Sequence, residues 1–368
     1  MAVVLDELPE LTQCHPSTLS AGDVLLVAGG FEDRAFASAD IFLGAAGARA
    51  IALDYLPFDA RNRTAELCQK LSARGFSAVV VQYDRYHPEP LAESLAYALR
   101  LGTARRIVID ISGMSKLAIM IAMDVACDLD LEVTIFYAEA EQYGPSKNDY
   151  DTARSQGSLH QPTVQLYTGV QGVMRTSRLS SVAMQGQPSA AIAFMSFNEY
   201  VTQALVDAVY PSSLFLINGR PPALTWREAA MYWIHEQLIT EWPSEDNPVT
   251  GIGDERLPLR ATSTLHYGDT VRELLGLYWQ IAADYRILLA PTGSKMQTVA
   301  SYLVKALHPD IHVEYPTPKG FLDLYSTGIA QKWQVSFPAL GRWTRGIRLA
   351  ERRSRFANAA PHISESQA

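Results

Sequence analysis

The same series of short apolar runs and amphipathic stretches occurs twice in this chain, and few architectures can accommodate that. In the first series, apolar runs at 24–30, 48–56, 77–84, 105–113 and 131–141 alternate with helical periodicity at 33–46, 59–74, 88–101 and 115–129. Runs that are apolar on both faces belong in the middle of a parallel sheet covered by helices on either side. The second series begins at 190–200, where AAIAFMSFNEY matches VLLVAGGFEDR of 24–34 in order and length, so that Phe197 falls on Phe31 and Asn198 on Glu32. Strand-like runs at 212–222, 257–267, 285–295 and 312–318 follow, with helical stretches at 225–241 and 269–283. The expected fold is therefore α/β: two tandem Rossmann-like domains with mainly parallel sheets, related by internal duplication, plus a C-terminal basic helical segment.

The expected limits are 1–175 for the first domain and 188–340 for the second, joined by the polar stretch 176–188. The offset between copies grows from 166 at Phe31/Phe197 to 180 at Gly113/Gly293. That places an insertion of about 14 residues in the Pro-, Gly- and acid-rich segment 242–256. The remainder, 341–368, reads as a basic helix and a frayed tail. Within 341–355 its arginines, at 342, 345, 348, 352, 353 and 355, face one acid, Glu351, while the rest of the chain carries 25 bases against 38 acids. So acidic a body does not suit non-specific tracking of duplex DNA. No apolar run is long enough to span a bilayer, and acids stand where a signal peptide needs bases, so a cytoplasmic location and no membrane partner are expected. Three cysteines without C-x-x-C spacing suggest neither disulfides nor zinc.

Ligands of open parallel sheets bind outside the carboxyl ends of the strands. Two loops there repeat one chemical pattern. Asp110-Ile-Ser-Gly-Met-Ser-Lys116 and Ala290-Pro-Thr-Gly-Ser-Lys295 each set a hydroxyl, a glycine, a second hydroxyl and a lysine at a strand-to-helix junction. Free N–H groups at a helix start, hydroxyls and an ammonium make an anion site, which glycine lets a ligand approach. Ser112, Ser115, Thr292 and Ser294 also suit helix capping, and Gly113 and Gly293 a turn, but capping has no use for lysine in a first helical turn. Candidate ligand contacts are Phe31, Glu32, Arg34, Asp110, Ser112, Gly113, Ser115, Lys116 and Tyr137 in the first copy. In the second they are Asn198, Thr292, Gly293, Ser294, Lys295 and Tyr315. Aromatic faces beside the fifth strands, with Tyr167-Thr-Gly echoed by Tyr325-Ser-Thr-Gly, suit stacking on bases as well as core packing. G-x-G-x-x-G, a full Walker A loop, G-x-S-x-G and clustered histidines are all absent, so no cofactor, metal or catalytic residue is assigned.

Asp110, Ser112 and Lys116 have the spacing by which the chain resembles the CARF domains (CRISPR-associated Rossmann fold). These carry Asp or Asn, any residue, Ser or Thr, three residues, then Lys or Arg after the fourth strand. The second copy departs from the pattern, with Ala290 for the acid and one residue fewer before Lys295. The resemblance implies a sensor in prokaryotic antiviral defence that binds a nucleotide or cyclic oligonucleotide between two pseudo-symmetric halves. With no effector domain recognised in the chain, it implies a separate effector protein as partner. The residues leave two alternatives open: an enzyme acting on a nucleotide or sugar phosphate, such as a ring-opening phosphodiesterase, and a scaffold with vestigial sites.

Overall fold

The computed structural model describes residues 2–241, 260–323 and 325–359. The insertion expected at 242–256 and the end of the tail lie outside the described residues. The first half forms a parallel sheet from β1 (Asp23–Ala28), β2 (Arg49–Leu56), β3 (Ser77–Asp84), β4 (Arg106–Asp110) and β5 (Glu132–Ala138). Its principal helices are α1 (Thr64–Ala73), α2 (Pro90–Leu101) and α3 (Lys116–Asp128). A further strand, β6 (Val170–Met174), precedes the second half. That half comprises β7 (Ser189–Phe194), β8 (Ser213–Arg220), β9 (Ala261–Ser263), β10 (Arg286–Ala290) and β11 (His312–Val313). Between them run α4 (Glu199–Val209), α5 (Trp226–Ile234), α6 (Tyr267–Ile281) and α7 (Lys295–Leu307). The strand orders are β3-β2-β1-β4-β5 and β9-β8-β7-β10-β11, parallel throughout, so both sheets run through the same order.

Both first strands are central and buried, which accounts for their unbroken apolar sequences. The helices after the fourth strands, α3 and α7, pack on each other, and α3 packs on β4 and β5 as well. That double burial explains why KLAIMIAMDVACD is apolar nearly all round, with Met120 and Met123 fully buried. One hydrophobic cluster runs from Val24 and Ile109 through α3 and α7 to Ile192 and Leu289. The halves thus share a core.

Beyond the fifth strands the chain trades edges. Strand β6, from the first half, pairs antiparallel with β12 (Tyr315–Pro318), which continues β11 of the second. Strand β13 (Lys332–Phe337) returns to pair antiparallel with β5 over six residues, Lys332 opposite Ala138 and Phe337 opposite Val133. Between them Ser326–Thr327 pairs with Gln142–Tyr143. The expected limits 1–175 and 188–340 cut across this exchange, since 170–174 lies on the second half's strand and 332–337 in the first half's sheet. Edge pairing leaves no local periodicity to read, because any strand with free N–H and C=O groups can supply it.

The helix expected over 33–46 is also corrected. The segment is a 3₁₀ turn, Asp33–Phe36, a short helix, Ala37–Ile41, and a strand, Phe42–Gly44, parallel to Ser17–Leu19. Gly44 lies so close to Gly75 that a Cβ on it would stand 2.7 Å from the Gly75 carbonyl oxygen. A continued helix could not make that approach.

The basic C-terminal helix, α8 (Leu340–Ala359), buries Leu340, Thr344 and Ile347 along one stripe and packs on α3 and α7. Arg342 pairs with Asp130 at 2.6 Å from the other side. All three cysteines are free, Cys14 buried and Cys68 and Cys127 half-buried. No helix among the described residues is long and apolar enough to cross a membrane.

Candidate functional site: a shared cleft between the halves

The loops after β1, β4, β7 and β10 open on one cleft of about 300 Å³. The shared α3/α7 packing puts the carboxyl ends of all four strands on the same side, so residues from both halves line a single cavity. Of the candidate contacts, Phe31, Glu32, Arg34, Gly113, Ser115, Lys116 and Tyr137 line it from the first half. Thr292, Gly293, Ser294, Lys295 and Tyr315 do so from the second. Asp110, Ser112 and Asn198 are buried and do not reach it.

The structure gives several of these groups internal work. The Ser112 N–H donates to Asp110 Oδ1 at 2.8 Å, and the Ser112 hydroxyl accepts from the Ala138 N–H at 2.9 Å, tying the loop after β4 to β5. Asp110 and Ser112 therefore shape the loop from beneath, and burial pushes the Asp110 carboxyl above its ordinary value. Thr292 donates to the Phe194 carbonyl at 2.7 Å and accepts from its N–H at 2.8 Å. Ser294 caps α7, accepting from the Gln297 N–H at 3.1 Å and donating to the Thr264 carbonyl at 2.7 Å. Ser115 caps α3 through the Ala118 N–H at 3.2 Å. Tyr55 pins that loop, its hydroxyl accepting from the Ser115 N–H at 2.8 Å and donating to the Gly113 carbonyl at 3.1 Å.

Packing, not ligand approach, dictates the two glycines. A Cβ on Gly113 would lie 2.8 Å from the Ala28 carbonyl oxygen and 2.9 Å from Ala35 Cβ; one on Gly293 would lie 2.7 Å from Phe194 Cβ. Gly113→Ala is therefore expected to destabilise the protein by about 1–3 kcal/mol, as overpacking does. An unchanged urea midpoint would show that the loop yields freely.

Charge is where the cleft departs most from an ordinary interior. Glu32 and Arg34 form a buried ion pair, Oε1 accepting from Nε at 3.0 Å and Nη2 at 2.7 Å. The hydroxyl of Ser326, 294 residues away, donates to the same oxygen. Lys295 lies 3.7 Å from the other carboxylate oxygen and donates to the Ser112 carbonyl, so α7 of the second half latches onto two loops of the first. Burial opposes the Glu32 charge, but Arg34 and Lys295 outweigh it and hold the carboxyl below its usual value. Lys295 is pushed down to about 7 by burial and by Arg34, which Glu32 only partly offsets.

Lys116 has no such partner. It is half-buried rather than exposed, no carboxylate lies against it among the described residues, and burial with the nearby Arg34 lowers it to about 8. Arg85 and Arg227 also line the cleft. Arg227 donates to the carbonyls of Tyr143, Gly144 and Pro145, at 2.6, 3.0 and 2.8 Å, and stands 4.6 Å over the Phe197 ring, and burial lowers it to about 10. Among the lining carboxylates, Asp59 is taken by Arg61 at 2.7 Å and Glu139 by the Trp333 indole N–H at 2.7 Å. The cleft therefore holds surplus positive charge in a partly desolvated space, where an anion interacts more strongly than in water.

Aromatic rings make up part of the remaining wall. Tyr167 and Phe321 pack 4.9 Å apart, Phe321 and Tyr325 5.4 Å apart, and Arg61 lies 4.7 Å over the Phe31 ring. Phe321, Arg227, Tyr55 and Gln165 escaped the sequence reading. Nothing local marks them: Tyr55 is one more apolar residue near the end of β2, and the others reach the cleft through the strand exchange or from second-half elements without a repeated motif. No group of three or more His, Cys, Asp or Glu among the described residues could hold a metal.

No family model matches the chain, and no curated protein matches it. Among solved structures, one described as a short-chain dehydrogenase/reductase from Sinorhizobium meliloti 1021 is 11% identical, with 84% of this chain and 98% of that one covered. Its TM-score is 0.21, and a likeness that slight carries no argument about fold or chemistry.

Proposed function

We propose that the protein is a receptor for a phosphorylated nucleotide, one ligand per chain, held in the cleft between the halves. The CARF resemblance extends this to a cyclic oligonucleotide messenger of prokaryotic antiviral defence, with a separate polypeptide as the effector. The observation that carries the proposal is Lys116: a half-buried, unpartnered ammonium in the first turn of α3, facing the same cleft as Lys295. Placing a cation there costs stability, and an anionic ligand recovers that cost. Charge-assisted contacts to two lysines supply roughly 3–6 kcal/mol gross. Association costs at least about 4 kcal/mol, so the aromatic wall must add base stacking. A ligand with phosphates and bases in both halves meets that requirement.

The test is calorimetric titration of wild type and Lys116→Ala with cyclic tri- and tetranucleotides. The expected result is one ligand per chain, bound about 10- to 100-fold more weakly by the variant, with its thermal stability unchanged or raised. Equal binding by both proteins rejects the assignment, as does binding of two equivalent ligands per chain. The depressed lysines also favour a second reading, ring-opening phosphodiester cleavage, in which a lysine titrating near neutrality handles a proton. Mass spectrometry of the same mixtures separates the two: intact ligand supports the receptor and linear product the enzyme.

A further inference from the structure

Gln165 is only 1% exposed, and neither its Nε2 nor its Oε1 has a hydrogen-bond partner. Burying an amide unpaired is costly, and native chains rarely do so without a reason. The same residue lines the cleft. The residue after it, Leu166, holds a left-handed backbone, φ 61° and ψ 22°, unusual for leucine and needed to turn the chain from the short helix Pro162–Gln165 towards Tyr167. The turn is pinned from across the exchange: the Leu322 N–H donates to the Leu166 carbonyl at 3.1 Å, and the Thr168 N–H to the Gly320 carbonyl at 3.1 Å. The amide is thus held, unsatisfied, in the wall of a cationic and aromatic cavity.

We infer that Gln165 is a specificity-determining residue that reads the hydrogen-bonding edge of one nucleobase, and this rests on the nucleotide-receptor reading above. A carboxamide offers a donor and an acceptor side by side, which matches the amino group and adjacent ring nitrogen of adenine. Tyr167, two residues on, and Phe321 packed against it supply the face on which that base stacks. The last torsion of a glutamine side chain is broad, so the amide turns to the base without a change of backbone. Asn198 is equally unpartnered but does not line the cleft. Base reading is therefore one-sided, and the two halves of the ligand are held differently.

The experiment titrates wild type, Gln165→Leu and Gln165→Glu with two probes, cyclic tetra-adenylate and cyclic tetraguanylate, and records thermal stability without ligand. Wild type is expected to prefer the adenine ring. Gln165→Leu loses about 10- to 100-fold in affinity for it, yet melts at the same or a higher temperature, because an unpaired buried amide has been removed. Gln165→Glu, which only accepts, shifts preference towards guanine, whose Watson–Crick edge presents two adjacent donors. A purely structural glutamine would give the reverse for leucine: lower stability and unchanged affinity. Unchanged base preference in both variants, with Lys116→Ala still weakening binding, overturns the inference and leaves the receptor reading standing. No binding of either probe by wild type overturns both.

Discussion

Glu32→Gln lowers the free energy of unfolding by about 3–5 kcal/mol, the usual cost of removing one partner from a buried ion pair. The substitution keeps the size of the side chain but leaves the Arg34 guanidinium, which had two hydrogen bonds to one carboxylate oxygen, and the Lys295 ammonium facing a neutral amide. Three positive side chains, Arg34, Lys116 and Lys295, then share the cleft without the carboxylate that Arg34 and Lys295 both faced. Urea denaturation measures the loss as a lower midpoint at constant slope. The double variant Glu32→Gln, Arg34→Met recovers part of it, since replacing both partners costs less than stranding one. The pH dependence follows from the depressed Glu32 pKa. Its stabilisation is complete above the unfolded carboxylate value and disappears as pH falls through the lower, folded value, so the variant has a flatter acid limb than wild type. A midpoint within experimental error of wild type would mean that the carboxylate holds nothing together.

Ligand affinity falls on the order of a hundredfold between about pH 7 and pH 9, where an ordinary lysine site would show almost no change. In the empty cleft Lys295 titrates at about 7 and Lys116 at about 8. A bound phosphate favours the charged form and raises both values, so binding takes up protons wherever the free lysines are partly neutral. Titration calorimetry in buffers of different ionisation enthalpy reads that uptake directly. Empty protein behaves in the opposite sense. Its two lysines bind fewer protons folded than unfolded from about 7 up to the ordinary value of 10.5, so their penalty on stability is full below that window and fades as pH rises through it. Lys116→Ala and Lys295→Ala should each remove one part of the pH dependence of the same binding event. Affinity that is flat from about pH 7 to 9 would place both ammonium groups away from the ligand.

The strands and most helices could be read from local pattern because a buried face must be apolar at every turn or every second residue, and that requirement is written into neighbouring positions. The loops after β1 and β4, and those after β7 and β10, were legible for the same reason. A strand-to-helix junction needs turn and capping residues, so Gly113, Ser115, Gly293 and Ser294 stand out. The purpose of those residues was less legible. Capping, close packing and anion binding favour the same hydroxyls and glycines, and only the surroundings distinguish them: Ala28 beside Gly113, Thr264 beside Ser294, open cleft beside Lys116.

The order of apolar runs by itself determined that this chain forms two parallel sheets, each with a lysine in the first turn of the helix after its fourth strand. Tertiary structure alone decided that the two lysines face one cleft, that β6 and β13 change sheets, and that Glu32 is held at once by Arg34, Lys295 and Ser326. It also left Gln165 without a partner in the wall. The division has a physical cause. Burial acts on each element through its own face and leaves a periodic record, whereas Lys295 meets the Ser112 carbonyl 183 residues away, and a hydrogen bond or ion pair needs only one suitable atom at the right distance. Contacts of that kind leave no period in the sequence and exist only once the cores have set the backbones in place.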